Sequence, residues 1–421
     1  MDIKTICSII DSRQDELFEL LGNLIKINSE NFMYQGNEEE CAKYIYALCE
    51  ELGLENDIFT PMDIEGFSEH PDYVSGRNLE NRPNVVARYK GEENVDELML
   101  MAHIDTVPIG DRANWDFDPL LGEVKDGKVF GRGACDDKYA IATALFIIKL
   151  LKENGFKPSK NLVFAAYCDE EYGGSHGAMA TVMKYPCKRI VSMDGRDSQI
   201  WHCGSGGGEV KYTFHTRDTV DSARLTAKGL PVVMEAIETF AENRRKELEA
   251  NPFYKGTIIP TTSLRYLDVH AGNKGMDMGV GEVLFVFYTD KTKEEIYKEF
   301  GELEKVIAQK LEPMGLVGDG FKPNTRFFHY VHTEPDSEDI TLMIESAKEV
   351  GGKKPIVCGS CLSDLSVISK YGSDRAYGFG AGIDFSKPGG AHQPNEYIEC
   401  DRLVEYAKII AAYVLKILGG M

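Results

Sequence analysis

The chain has 421 residues, of which 43% are hydrophobic and 10% aromatic, and this length and composition exclude a single small module and global disorder. Its 68 acidic residues outnumber its 47 basic residues by 21, which disfavours nucleic acid and anionic membrane surfaces as partners. The acidic excess is spread thinly along the chain, as is typical of residues that confer solubility.

The N-terminus begins Met1-Asp2-Ile3-Lys4, without the basic and apolar segments of a secretory signal. The longest apolar stretch, 140–151, contains Thr143 and Lys149 and is too short to span a bilayer. Ten scattered cysteines suit a reducing compartment, and the single Cys-x-x-Cys motif at 358–361 favours ordinary turn cysteines over zinc or redox chemistry. We therefore expect a cytoplasmic protein with no membrane contact.

The first third of the chain predicts alternating helices and strands. Asn37 and Glu40 resemble a capping box for a helix over 38–52 that ends at Gly53. Continuous apolar runs at 98–102 and 162–167 are typical of buried parallel strands, and a long amphipathic helix is predicted from about residue 138. The fold class is therefore α/β with a mostly parallel sheet.

The pattern changes at the glycine-rich stretch 204–208, which leads into an alternating strand and is interpreted as an interdomain hinge. Beyond it we predict a helix over 230–248, a strand over 282–288 and a helix over 293–311, which together indicate a compact α+β insert. The predicted domains are therefore a catalytic domain in two parts, 1–205 and 331–421, and an insert at 206–330.

The first candidate site residues lie at the end of a buried strand. Residues two apart in a strand point to the same face, so His103 and Asp105 can share one site at the carboxyl edge of the sheet, where α/β proteins bind ligands. The pair fits a metal-bound imidazole oriented by a carboxylate. A structural hydrogen-bonding pair is the alternative.

Carboxylates also gather at two turns. A glycine-punctuated turn brings Asp136 to the start of a helix, where it can bridge ions or cap the helix. Asp169, Glu170 and Glu171 follow a strand directly, and a divalent cation is the simplest means of keeping three adjacent acids ionised. A solvated acidic loop is the alternative reading of this second turn.

Two further residues extend the set: Asp194 follows another apolar run, and His392 lies in a glycine-rich loop before a predicted helix. Acids and imidazoles at the strand ends and loops of one α/β domain are typical of a hydrolase with two metal ions.

Together, these segments resemble the M20 family of metallopeptidases, which includes glutamate carboxypeptidase, acetylornithine deacetylase, succinyl-diaminopimelate desuccinylase and several dipeptidases. The motifs His-x-Asp, Gly-Arg-Gly-x-x-Asp, Asp-Glu-Glu and His-x-Pro-Asn-Glu follow in the same order and cover almost the whole chain. The resemblance implies a mostly parallel-sheet catalytic domain that is interrupted by a smaller ferredoxin-like lid, through which two copies form a homodimer.

The resemblance also implies a site that binds two Zn²⁺ ions, with Co²⁺ or Mn²⁺ as possible substitutes. His103 and Asp194 would hold one ion, Glu171 and His392 the other, and Asp136 would bridge them.

Two neighbouring residues would act beside these ligands. Asp105 would lie behind His103 and orient it. Glu170 would be the general base, which takes a proton from the attacking water and returns it to the leaving amine.

The sequence departs from the family's pattern in three places. Asp137-Lys138-Tyr139 replaces the usual Met-Lys-Gly after the bridging Asp. The stretch 221–229 lacks the His that contacts the substrate across the dimer in many members, and 287–290 lacks a frequent Asp-x-Arg motif. The candidates for substrate contacts in the insert are His215, His270 and Asn273.

These features predict dizinc-dependent hydrolysis of an amide bond in a small peptide. Asp at position 194 is more usual in dipeptidase and aminopeptidase branches, although acetylornithine deacetylases share it. A deacylase of an N-acyl amino acid is therefore the alternative enzyme. A catalytically silent metal-binding protein is the alternative from another class, but a purely structural metal site has no need of a general base such as Glu170.

Overall fold

The computed structural model describes residues 1–216, 220–254 and 259–419. The chain divides into two compact units. The first comprises Met1–Cys203, His332–Ser360 and Val367–Met421, and the second comprises Gly204–Val331 and Cys361–Ser366.

The helices of the first unit follow from amphipathic patterns that place apolar residues on one face. In the second unit, the helix over Lys293–Leu311 begins with a capping box, in which the side chains of Thr292 and Glu295 each accept a hydrogen bond from the other residue's backbone N–H. The described helices are α1 (Ile3–Ser12), α2 (Gln14–Lys26), α3 (Glu39–Glu51), α4 (Lys138–Glu153), α5 (His176–Lys184), α6 (Ser222–Ala250), α7 (Lys293–Leu311), α8 (Glu338–Glu349), α9 (Leu365–Val367) and α10 (Cys400–Leu418).

The strands form one large mixed sheet and two smaller antiparallel sheets. The described strands are β1 (Glu55–Phe59), β2 (Asn84–Tyr89), β3 (Glu93–His103), β4 (Glu123–Lys125), β5 (Lys128–Phe130), β6 (Lys160–Tyr167), β7 (Arg189–Ser192), β8 (Gln199–Gly204), β9 (Gly206–Thr216), β10 (Leu264–Lys274), β11 (Asp277–Thr289), β12 (Leu316–Pro323), β13 (Val331–His332), β14 (Ile356–Gly359), β15 (Ala376–Gly380) and β16 (Tyr397–Glu399).

The large sheet has the order β1-β2-β6-β3-β7-β15-β8-β13, and β14 pairs with β8. Its centre is parallel, because β6, β3, β7 and β15 run in the same direction. These strands are buried on both faces, which explains their continuous apolar sequences. Helices α4 and α10 pack in the same core and are buried along most of their length. The predicted α/β class with a mostly parallel sheet is confirmed.

The second unit contains an antiparallel sheet in the order β10-β11-β9-β12. Its apolar face packs with α6 and α7 around a core rich in phenylalanine. The α+β character predicted for the insert agrees with this arrangement.

The glycine-rich stretch 204–208 lies at the boundary between the two units, and its interpretation as a hinge stays a prediction. Its residues 206–208 belong to β9, where a Cβ on Gly207 would lie 2.0 Å from the carbonyl oxygen of Phe287 on β11, so the close approach of the strands requires glycine there. Two other sequence expectations differ from the structure. Helix α6 begins eight residues before the predicted start and continues through Pro231. Helix α3 begins after Glu38 without a side-chain cap, so the capping box predicted from Asn37 was wrong.

Among the described helices, none combines the length and the apolar composition that a bilayer crossing requires. None of the ten cysteines, all of which lie in the described residues, forms a disulfide.

Candidate metal centre

The predicted ligands lie where parallel strands end. His103 is the last residue of β3, Glu171 lies in the turn after β6, and Asp194 lies in the turn after β7. These strands are neighbours in the order β6-β3-β7, so their carboxyl ends meet at one edge of the sheet. Asp136 precedes α4, and His392 lies in the loop between β15 and β16.

His103, Asp136 and Glu171 form a compact group in which one ligand atom of each residue lies within 4.8 Å of the others. Nε2 of His103 is 3.0 Å from one carboxylate oxygen of Asp136. Nε2 of His392 is 3.2 Å from the other Asp136 oxygen and 2.8 Å from Oε2 of Glu171. Asp136 therefore contacts one histidine with each of its oxygens.

Negative charge is concentrated in this group. Burial alone would lower the pKa of His103, but Asp136 and Glu170 beside it raise that pKa well above its usual value. Burial alone would also lower the pKa of His392, but the adjacent carboxylates of Glu171 and Asp136 outweigh burial and raise that pKa. The pKa of Asp136 lies below its usual range despite burial, because both histidines contact its carboxylate. The group thus attracts positive charge, and its imidazole nitrogens and carboxylate oxygens are donors that fit Zn²⁺.

Asp105 contacts His103 through its backbone. Nδ1 of His103 is 2.8 Å from the carbonyl oxygen of Asp105 and 3.8 Å from the nearer carboxylate oxygen. The buried carboxylate instead accepts hydrogen bonds from the Asn31 side chain (2.8 Å) and from the backbone N–H groups of Glu170 (2.9 Å) and Glu171 (3.1 Å). Asp105 thus contacts the imidazole with one group and the glutamate turn with another, and its role in orienting His103 stays a prediction.

Glu170 and Asp194 lie near the same group. Glu170 is close enough to His103 to raise its pKa. Burial raises the pKa of Asp137, and the negative charges of Asp194 and Asp136 raise it further. The Asp137 carboxylate accepts a hydrogen bond from the backbone N–H of His103 (3.3 Å). Within the described residues, the 4.8 Å group does not include Asp194. Its assignment as a ligand, like that of Glu170 as the base, stays a prediction.

The unusual Lys138-Tyr139 pair has a structural explanation. The buried Lys138 Nζ donates to the carbonyl oxygens of Leu24 (3.0 Å) and Ile27 (2.7 Å) at the end of α2. The hydroxyl of Tyr139 donates a hydrogen bond to the carbonyl oxygen of Met193 (2.8 Å), the residue directly before Asp194.

The same Tyr139 hydroxyl makes two further contacts. It accepts a hydrogen bond from the backbone N–H of Ala381 (2.9 Å) and lies 3.2 Å from the carbonyl oxygen of Gly195. Tyr139 therefore connects the start of α4, which follows Asp136, with the turn that carries Asp194.

A buried ion network that the sequence analysis missed supports the glutamate turn. Oδ1 of Asp169 is 2.7 Å from both Arg77 and Arg82, and Oδ2 is 2.5 Å from Nδ1 of His176. Arg82 also pairs with the buried Glu38 at 2.5 Å. Asp169 was considered only as a member of the acidic run, and the two arginines lie in a segment without periodic pattern, so no sequence signal connected them.

The substrate candidates predicted in the insert lie on the sheet of the second unit. His215 on β9 pairs with Asp319 at 3.2 Å. The side-chain oxygen of Asn273 accepts hydrogen bonds from Ser222 (3.3 Å) and from the Gly279 backbone (3.0 Å). His270 lies on β10 with its Nε2 buried and without a hydrogen-bond partner among the described residues. Their contact with a substrate stays a prediction.

The chain is similar in sequence and fold to several known proteins. The sequence profile of Peptidase family M20/M25/M40 matches residues 99–416. An uncharacterized metallohydrolase of Methanococcus maripaludis is 33% identical over 94% of this chain and 97% of its own length. The N-formyl-4-amino-5-aminomethyl-2-methylpyrimidine deformylase of Bacillus subtilis is 24% identical over 96% of this chain and 95% of its own. Among solved structures, the di-peptidase Dug1p of Saccharomyces cerevisiae has the same fold, with a TM-score of 0.73, 16% identity and 98% coverage of both chains.

Proposed function

Because this chain belongs to Peptidase family M20/M25/M40, whose profile matches most of its length, we propose that it hydrolyses an amide bond in a small peptide with two zinc ions. The observation that carries this proposal is the group formed by His103, Asp136 and Glu171 at the carboxyl edge of the sheet. His392 adds a second imidazole to the same Asp136 carboxylate.

The proposed ligand set follows from these contacts and from the family resemblance. Asp136 would be shared by both ions, because its two oxygens face different histidines. His103 and Asp194 would hold one ion, and Glu171 and His392 would hold the other. When bound, the ions supply Lewis acidity that polarises the scissile carbonyl and lowers the pKa of the attacking water. Co²⁺ or Mn²⁺ can substitute, because these ions accept the same nitrogen and oxygen donors.

Glu170 is the proposed general base. Its backbone N–H is fixed by the Asp105 carboxylate, which also binds the N–H of Glu171, so the base and the neighbouring ligand share one anchor. Glu170 takes a proton from the attacking water and delivers it to the leaving amine, a role that contributes ~10²- to 10⁴-fold to such reactions.

The proposed substrate class rests on the family resemblance and on one structural neighbour. Asp at the position of Asp194 is more usual in dipeptidase and aminopeptidase branches of the family, although acetylornithine deacetylases share it, and the structural neighbour Dug1p is a di-peptidase. The similarity to a deformylase supports the second candidate, a deacylase of N-acyl amino acids. A catalytically silent metal-binding protein is the third possibility, and the fixed backbone of Glu170 argues against it.

We also propose that a second copy of the chain binds at the edge of the insert's sheet. Within the described residues, β10 pairs on one side only, with β11, so its other edge presents free backbone groups. Leu267 and Val269 on this strand and Met278 on β11 expose apolar side chains. Pairing of two β10 edges would satisfy the free backbone groups and bury these apolar side chains.

The cysteines, none of which forms a disulfide in the described residues, fit a cytoplasmic location, and the acidic charge of the chain disfavours nucleic acid as a partner.

A substrate screen tests the proposed reaction. The zinc-loaded protein is incubated with dipeptides and with N-acetyl, N-succinyl and N-formyl amino acids, and Glu170→Gln is the matched control. Release of amino acids from dipeptides by the wild type, and not by the control, is expected. Cleavage of the acylated compounds alone would establish the deacylase instead. Full zinc content without any cleavage would favour the silent metal-binding protein.

A further inference from the structure

Arg132 and Glu396 form a buried ion pair close to the metal centre. Their side chains are 4% and 0% exposed, and Nη1 of Arg132 lies 2.6 Å from Oε2 of Glu396. The guanidinium also lies over the ring of Trp115, 5.1 Å from its centroid. Neither residue belongs to the proposed ligand set, so the pair requires a separate explanation.

The pair contacts three of the segments that carry the site. The second oxygen of Glu396 accepts a hydrogen bond from the backbone N–H of Cys135 (2.9 Å), which directly precedes Asp136. Arg132 donates a hydrogen bond to the carbonyl oxygen of Gln393 (3.3 Å), the residue directly after His392. It also donates to the carbonyl oxygen of Pro108 (3.4 Å), which lies in the segment that follows β3. A further backbone bond, from Gly131 to the Glu396 carbonyl oxygen (2.9 Å), joins the same two loops.

The chemistry of the two side chains explains why such a contact holds its geometry. A carboxylate with both oxygens occupied cannot rotate without losing a charge-assisted hydrogen bond. A planar guanidinium donates in several fixed directions, which a lysine ammonium cannot reproduce. Buried ion pairs add little net stability compared with apolar residues, so a structural role in positioning accounts better for this one.

We propose that Arg132 and Glu396 are positioning residues that set the separation between Asp136 and His392. This inference rests on the proposed function, because it concerns the zinc ion that His392 and Glu171 are proposed to share with Asp136. Loss of either partner would let the loop at 389–396 move relative to Asp136. We expect the ion that His103 and Asp194 would hold to be affected less, because these residues lie at or just after the ends of β3 and β7, whereas the pair anchors the loop that carries His392.

Zinc affinity of the full-length protein tests the proposal. Metal-free wild type, Glu396→Gln, Arg132→Met and the milder Arg132→Lys are titrated with Zn²⁺ against a competing chelator. We expect one of two sites to weaken by ~10- to 100-fold in Glu396→Gln and Arg132→Met, as is usual when a residue that orients a ligand is lost. The zinc affinity of Arg132→Lys should lie between that of these two variants and that of the wild type, because lysine keeps the positive charge but not the several fixed donors of the guanidinium.

A matched control separates positioning from general destabilisation. Arg189 is also buried and pairs with Asp339 at 2.7 Å, but it lies at the start of β7, at the opposite end of that strand from Asp194. Arg189→Met should lower the melting temperature and leave both zinc affinities unchanged. Equal loss of zinc in Arg189→Met, or unchanged affinity in folded Glu396→Gln, would overturn the proposal.

Amide hydrogen exchange in the metal-free protein gives a second readout that needs neither zinc nor substrate. Faster exchange in both 131–137 and 389–396 is expected in Glu396→Gln and Arg132→Lys, with no change in these segments in Arg189→Met. Unchanged exchange in both variants would overturn the proposal. A wild type that binds fewer than two zinc ions would instead refute the proposed two-metal site, and the exchange result would still decide whether the pair positions the loops.

Discussion

Tyr139→Phe removes a single oxygen atom and tests whether Tyr139 positions the Asp194 turn. The Tyr139 hydroxyl is buried and bonds to Met193, Ala381 and Gly195. Its loss leaves the Ala381 N–H without this acceptor in the protein interior, which costs about 1–3 kcal/mol of unfolding free energy. Because Met193 and Gly195 flank Asp194, we also expect the zinc site that contains Asp194 to weaken by ~10- to 100-fold.

Urea unfolding and chelator competition measure the two effects separately. The matched control is Tyr413→Phe, a fully buried tyrosine on α10 whose hydroxyl interacts with that of Tyr377 and not with the turn that carries Asp194. This control should lose stability without losing zinc affinity. If Tyr139→Phe loses stability but binds two zinc ions as tightly as the wild type, the hydroxyl supports the core only, and its proposed link to Asp194 is refuted.

Three further results are expected. Asp136→Ala should lose most of its zinc in elemental analysis, whereas His103→Ala should retain about one ion per chain, and full zinc content in Asp136→Ala would refute the bridging role. Burial outweighs the attraction of Arg82 and raises the pKa of Glu38 to about 7, so the stability that its protonated form contributes below about pH 4.5 is lost as the pH rises through about 7. Urea unfolding in EDTA should show this slope in the wild type and not in Glu38→Gln. Val269→Glu should shift sedimentation from dimer to monomer, and an unchanged dimer would exclude the β10 edge as the interface.

The sequence predicted the parts of the fold that depend on local pattern. The apolar runs at 98–102 and 162–167 lie in β3 and β6, and the predicted helix 293–311 coincides with α7. The glycines at 206–208 could not be recognised as strand residues, because their requirement arises from the backbone of β11, which is distant in sequence. The start of α6 was missed because Pro231 is a local helix-breaking signal that packing overrides.

The candidate site was predictable to the extent that motifs encode it. The motifs selected His103, Asp136, Glu171 and His392, which the structure brings together. The supporting contacts were not predictable, because Arg82, which pairs with both Asp169 and Glu38, lies in a segment without a recognisable pattern. Sequence spacing also cannot tell whether a residue orients its neighbour through its carbonyl or its carboxylate, as Asp105 shows.

The adjacent glutamates of the turn after β6 have the same chemistry and different proposed roles. Oε2 of Glu171 is 2.8 Å from Nε2 of His392, and Oε1 accepts a hydrogen bond from the Val107 N–H (3.0 Å), so its carboxylate is fixed within the ligand group. Glu171→Gln should therefore weaken zinc binding, and excess zinc should partly restore activity. Glu170→Gln keeps the shape of the side chain but removes the proton acceptor.

The most direct test of the account is to measure zinc content and turnover of Glu170→Gln and Glu171→Gln side by side, on the substrate identified by the screen. We expect about two zinc ions per chain and a kcat that is ~10²- to 10⁴-fold lower in Glu170→Gln, with no rescue by added zinc. Zinc-dependent rescue of Glu170→Gln together with zinc-independent loss in Glu171→Gln would contradict it, because the two roles would then be reversed.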